Sequence, residues 1–140
     1  MSRQLRRAPA LAVMVTLATT AVALAAGPLK GATYTGTTVR GERPISLKVS
    51  GNGKSVTVSI ADPPLYCQGG GPPETQITKP AKVHRNGSFS GSITYQFMHK
   101  TSFKASFSGK FSGKKATGTI RSEYSSSSCS GSTTFLAKAA

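Results

Sequence analysis

The stretch ISLKVSGNGKSVTVSI, residues 45–60, decides the fold. Its apolar residues Ile45, Leu47 and Val49, then Val56, Val58 and Ile60, fall on every second position. That is the period of a strand with one buried face. Between the two runs lies Gly51-Asn52-Gly53-Lys54. A two-residue type I′ turn at Asn52-Gly53, which needs positive φ at both residues, pairs Val49 with Val56 and Leu47 with Val58. Both apolar sets then share one face, so turn chemistry and periodicity point independently to a hairpin.

Toward the C-terminus the same test works again. Phe103, Ala105, Phe107, Gly109 and Phe111 alternate with polar residues, as do Ala116, Gly118, Ile120 and Tyr124. A turn at Gly113-Lys114 pairs Phe111 with Ala116, Gly109 with Gly118, Phe107 with Ile120 and Phe103 with Tyr124. Large residues then sit beside small ones, as a packed layer needs, and the Gly109/Gly118 row predicts a bend or a close backbone approach. On the other face Lys104 comes to lie across from Glu123. Two further hairpins keep their faces matched with three-residue loops: Arg85-Asn86-Gly87 between Val83 and Phe89, and His99-Lys100-Thr101 between Phe97 and Phe103. The strand between them presents Phe89, Gly91, Ile93, Tyr95 and Phe97 on one face. Tyr34–Val39, Thr75–Thr78 and Ser132–Lys138 complete the strands, while Asp62–Pro73 and Ser125–Ser128 read as loops. The sum is an all-β, single-domain antiparallel β-sandwich or small up-and-down barrel of about seven to nine strands. Alternation is common to both architectures and does not separate them.

The repeated Gly-x-Phe-Ser-Gly of residues 87–91 and 109–113, the continuation Lys-Lys-Ala-Thr-Gly-Thr-Ile-Arg to residue 121, the Ser-rich loop 125–129 with its Cys, and the final strand 132–138 carry a resemblance. Together with the weaker Ala-Thr-Tyr-Thr-Gly of 32–36, they resemble a group of small exported bacterial β-proteins. The final strand of that group often carries Trp where this chain has Phe135. No activity is established for the group, so the resemblance implies a fold and an address but no site residues.

Residues 1–25 read as a signal peptide and 26–140 as the exported domain. Arg3, Arg6 and Arg7 precede an uncharged apolar stretch from Leu11 to Leu24, and Ala23-Leu24-Ala25 offers the small-x-small cleavage pattern. An uncleaved anchor is the alternative, disfavoured because an alanine-rich stretch is marginal as a span. The expected site of action is therefore the cell envelope or beyond, as a monomer with no membrane span after cleavage. The whole chain carries +14. Losing the three leader arginines leaves fifteen basic residues against Glu42, Asp62, Glu74 and Glu123, a net +11. Such a charge attracts polyanions without bearing on the fold. The two cysteines, Cys67 and Cys129, read in an exported chain as one disulfide. It closes a loop of roughly 60 residues, worth about 4 kcal/mol on the chain-entropy account.

Catalytic chemistry is poorly supplied. The four acids fall in different segments, so no carboxylate pair for glycoside cleavage is indicated. His84 and His99, the only histidines, lie at or near hairpin loops, and no serine sits in a nucleophile elbow. Two histidines and a paired cysteine leave too few ligands for a metal. No enzyme activity, cofactor or metal is expected. Asn86-Gly87-Ser88 matches a glycosylation sequon, but the same residues make the hairpin turn. What stands out is basic: Lys104, Lys110 and Arg121 on the outward face of the last long hairpin, with Lys114 and Lys115 at its tip and Lys48 and Lys54 elsewhere. The expectation is a non-enzymatic exported domain. Its alternatives are a binding module for anionic polymers (cell-wall polymer, acidic polysaccharide, nucleic acid) through the Lys104, Lys110, Lys114, Lys115 and Arg121 face, or a small-ligand carrier in a hollow barrel.

Overall fold

The computed structural model describes residues 26–65, 76–97, 101–125 and 129–140. The expected leader of residues 1–25, Cys67, Glu74, His99 and most of the two expected loops lie outside them. Eight antiparallel strands form: β1 (Thr33–Thr38), β2 (Pro44–Val49), β3 (Ser55–Ala61), β4 (Gln76–Lys82), β5 (Ser88–Phe97), β6 (Thr101–Ser112), β7 (Lys115–Tyr124) and β8 (Cys129–Ala139). They make one sheet in the order β4-β3-β2-β1-β8-β7-β6-β5. Sequence neighbours pair except β4 and β5, the two ends of the sheet, which meet only in a bridge between Val83 and Phe89, and β1 pairs with β8. The architecture is an up-and-down, nearly closed barrel rather than a sandwich.

Registers follow from burial. Ile45 faces Ile60, Leu47 faces Val58 and Val49 faces Val56, all within 2 % of full burial. The turn between them differs from a I′ turn. Of Asn52 and Gly53 only Gly53 has positive φ, 73°, and Ser50 donates its amide to the Ser55 carbonyl, closing a four-residue loop. The reason is Asn52. Its Oδ1 accepts from the Lys54 amide and the Ser50 hydroxyl, a local bond that holds the longer turn. At the other expected turn, Phe111 faces Ala116 and Gly109 faces Gly118, with Gly113 left-handed at φ 58°. Arg85-Asn86-Gly87 is the expected three-residue loop: His84 donates its amide to Ser88 O, and Gly87 has φ 80°. Asn86 Oδ1 accepts from both the amide and the hydroxyl of Ser88, so this triplet is turn chemistry. The β5–β6 connection is displaced from its expected place. Phe103 pairs with Tyr95, not Phe97, and Phe97 pairs with Thr101, so the connection is 98–100. The two-residue slip preserves the face and stacks Tyr95 on Phe103, centroids 6.4 Å apart.

Side chains fill the interior. Tyr34, Phe111, Phe89 and Phe107 form a chain of rings with successive centroids 5.0, 4.8 and 6.5 Å apart. The Tyr34 hydroxyl donates to Gly113 O (2.6 Å) and accepts from the Leu29 amide (2.8 Å), tying the N-terminal segment to the β6–β7 turn. A second cluster, Ile77, Phe103 and Ala105, packs with Leu65, Ile93, Tyr95 and Tyr124 toward the other end. The seam between β4 and β5 carries Pro80, which has no N–H to offer a neighbouring strand, and half-buried Lys79 beside Val58. Both discourage edge-to-edge pairing.

Candidate anion-binding surface

An up-and-down barrel gathers alternate turns at one end. The turns β2–β3, β4–β5 and β6–β7 therefore share an end with residues 26–32 and the C-terminus. Each of these turns is basic: Lys54 in the first, His84 and Arg85 in the second, Lys114 in the third. Lys30, Lys82, Lys115 and Lys138 lie at the same rim, all exposed. The described acids Glu42, Asp62 and Glu123 all sit at or toward the opposite end. There Arg43 Nη1 meets Asp62 Oδ2 at 3.3 Å. One end of the barrel is thus cationic without a described acidic side chain to neutralise it.

The five basic residues expected from the sequence are all exposed and outward, but they do not form one patch. Lys110, Lys114 and Lys115 belong to the cationic end, where Lys115 lies directly across from Lys138. Lys104 lies across from Glu123 toward the opposite end. Arg121 stands between Ser106 and Ser132, at the edge of a shallow hollow of about 500 Å³ lined by hydroxyls of Ser90, Ser92, Ser106, Ser108 and Thr119. A second hollow of about 390 Å³ joins Arg121 to Arg40 and Glu123. Lys30, Lys82, His84, Arg85 and Lys138 were not among the basic residues expected from the sequence to form a binding face. The rule that would have found them is topological: once the strands are in up-and-down order, every second turn shares an end.

Cys129 is buried in β8 opposite Tyr124. Its expected partner Cys67 lies outside the described residues. Nearby, the Pro64 carbonyl lies against Gly131, where any side chain would collide with it. Among the described residues no group of three His, Cys, Asp or Glu side chains is arranged to hold a metal ion, and no helix is long and apolar enough to cross a membrane. No protein-family model matches the chain, and neither the curated proteins nor the solved structures offer a match.

Proposed function

We propose that this is an exported, non-enzymatic β domain that binds anionic polymers of the cell envelope through its cationic barrel end. The observation that carries the reading is the segregation of charge: three basic turns and both chain-terminal segments at one end, the described acids toward the other. An uncompensated cationic rim concentrates polyanions and gives association that weakens with salt. The ring-filled interior favours the outer surface over an internal ligand. Hydroxyls on the outer face of β5–β8 and rings inside are the reverse of a lipid-facing barrel, which carries its apolar band outside. Removal of the leader before Ala26 adds an α-ammonium at the same end, since Gly113 donates its amide to Ala26 O. A Cys67–Cys129 disulfide belongs to the same reading. Cys67 is three positions beyond Pro64 and Cys129 two before Gly131, and Pro64 and Gly131 touch.

Chromatography of the protein, expressed as the full chain, on an immobilised phosphate-rich polymer tests it. Retention is expected, eluting earlier as salt rises and earlier again for Lys110→Ala/Lys114→Ala/Lys115→Ala. Absent or salt-independent retention overturns the reading. The disulfide is checked on the same material by mass after alkylation without reductant; two labelled thiols would refute it.

A further inference from the structure

Within the cationic end, one place is more than a charged surface. The turn β2–β3, the turn β4–β5 and the segment around Pro28 border a shallow, open pocket of about 270 Å³. That is slightly below the usual range for ligand pockets, about 300 Å³ and upward, and suits a headgroup rather than a polymer strand. Its wall includes Lys30, Asn52, Lys54, His84 and Arg85. These side chains offer donors: ammonium, amide N–H, imidazole N–H and the guanidinium fork. Asn52 Oδ1 is already occupied by the Lys54 amide and the Ser50 hydroxyl, which leaves the Asn52 amide nitrogen as the free end. No ion pair engages Lys30, Lys54 or Arg85 among the described residues.

The walls are held by the backbone. Gly31 donates to Ser50 O (3.0 Å), Val83 to Lys54 O (2.9 Å) and Gly87 to His84 O (2.9 Å). Lys30 lies over Gly53: a Cβ there would come 3.2 Å from Lys30 Cγ, on a backbone already left-handed. Gly53 therefore both makes the turn and leaves room for the lysine stem.

We infer that this pocket, distinct from the β6–β7 hairpin, is a binding site for a phosphate monoester. Three full cations and an imidazole lining one hollow match a group that carries about −1.5 to −2 at neutral pH, where a carboxylate or sulfate ester carries one charge. The arginine fork and the lysine ammoniums supply the bonds that phosphate oxygens accept.

The experiment is a two-dimensional NMR titration of the protein, expressed as the full chain, with inorganic phosphate against chloride and acetate at matched ionic strength. Phosphate should shift the amides of Lys30, residues 52–54, His84 and Arg85, and the others should not. Lys54→Ala/Arg85→Ala should weaken that binding about tenfold or more, because charge-assisted bonds are lost. Lys48→Ala, an exposed lysine on β2 outside the pocket, should leave it unchanged. Glycerol phosphate and vesicles of phosphatidic acid separate a soluble or polymer-borne ester from a lipid headgroup; saturable binding to either upholds the site. Shifts equal in chloride, or undiminished in the double variant, overturn it. Because the hairpin lysines are untouched, polymer retention can survive its failure, and phosphate binding can survive loss of retention.

Discussion

The hairpins β2–β3 and β5–β6 line the same interior with opposite tactics. In β2–β3, medium-sized aliphatics face one another: Ile45 and Ile60, Leu47 and Val58, Val49 and Val56. In β5–β6 a large ring faces an empty place: Phe89 faces Gly109 and Gly91 faces Phe107. β7–β8 repeats this with Gly118 and Phe135. Phe89 of the first Gly-x-Phe-Ser-Gly segment covers Gly109 of the second, and Phe107, two residues before the second segment, covers Gly91 of the first. A Cβ on Gly91 would come within 2.5 Å of Phe107 Cζ, and one on Gly109 within 2.5 Å of Phe89 Cζ. The aliphatic hairpin shares its volume between both strands. The aromatic one places it on one side, which lets rings reach the middle of the barrel and meet Tyr34 and Phe111. The consequence is a division of tolerance: the aromatic half depends on residues with no side chain at all.

The sharpest way to break this comparison is a double-mutant cycle on Gly91 and Phe107. Phe107→Ala should cost about 3–5 kcal/mol, the range for a buried ring. Gly91→Ala should cost about 1–3 kcal/mol, because the ring must move to admit the methyl. The double variant should lose less than the sum by about 1 kcal/mol or more, since the atoms nearest the new Cβ all belong to Phe107. Gly118→Ala is the internal contrast. The Ser108 carbonyl obstructs it as well as the Phe135 ring, so Phe135→Ala should not rescue it. Additive losses at Gly91 and Phe107, measured by denaturant unfolding, would refute the ring-over-glycine account.

The same comparison explains what was legible in the sequence. Strand identity and register in β2–β3 and β6–β7 could be read because two independent signals, period and turn residues, fixed them together. The Phe103–Tyr124 to Phe111–Ala116 register holds row by row. The β5–β6 register was less determined: its faces survive a slip of two, and one register is selected by Phe89 over Gly109, Phe107 over Gly91 and the stacking of Tyr95 on Phe103. The I′ expectation at Asn52 fails because a side-chain bond from that residue outweighs its tolerance of positive φ. Beyond Lys110, Lys114 and Lys115 the cationic end was illegible for a different reason. Its residues come from five segments, and only the closure of β8 onto β1 gathers them.

The smallest expected effect concerns three buried hydroxyls on the inner face. Thr38 Oγ1 donates to Arg40 O and accepts from the Arg43 amide. Thr133 Oγ1 accepts from the Arg40 amide at 3.0 Å. These bonds hold the turn from Val39 to Arg43, in which Gly41 and Glu42 both have positive φ. Ser122, 1 % exposed between Ala105 and Gly131, has a hydroxyl with no partner among the described residues. A buried hydroxyl without a bond loses its hydration and gains nothing in return. Ser122→Ala should therefore leave stability unchanged or raise it by up to about 1 kcal/mol, whereas Thr133→Val should lower it by about 1–2 kcal/mol, because the Arg40 amide loses its acceptor. The two substitutions remove the same chemical group from the same face of neighbouring strands, so their difference isolates the bond. If Ser122→Ala costs as much as Thr133→Val, the Ser122 hydroxyl is bonded in solution, and the inner face near Gly131 is more polar than its residues Ala105 and Gly131 imply.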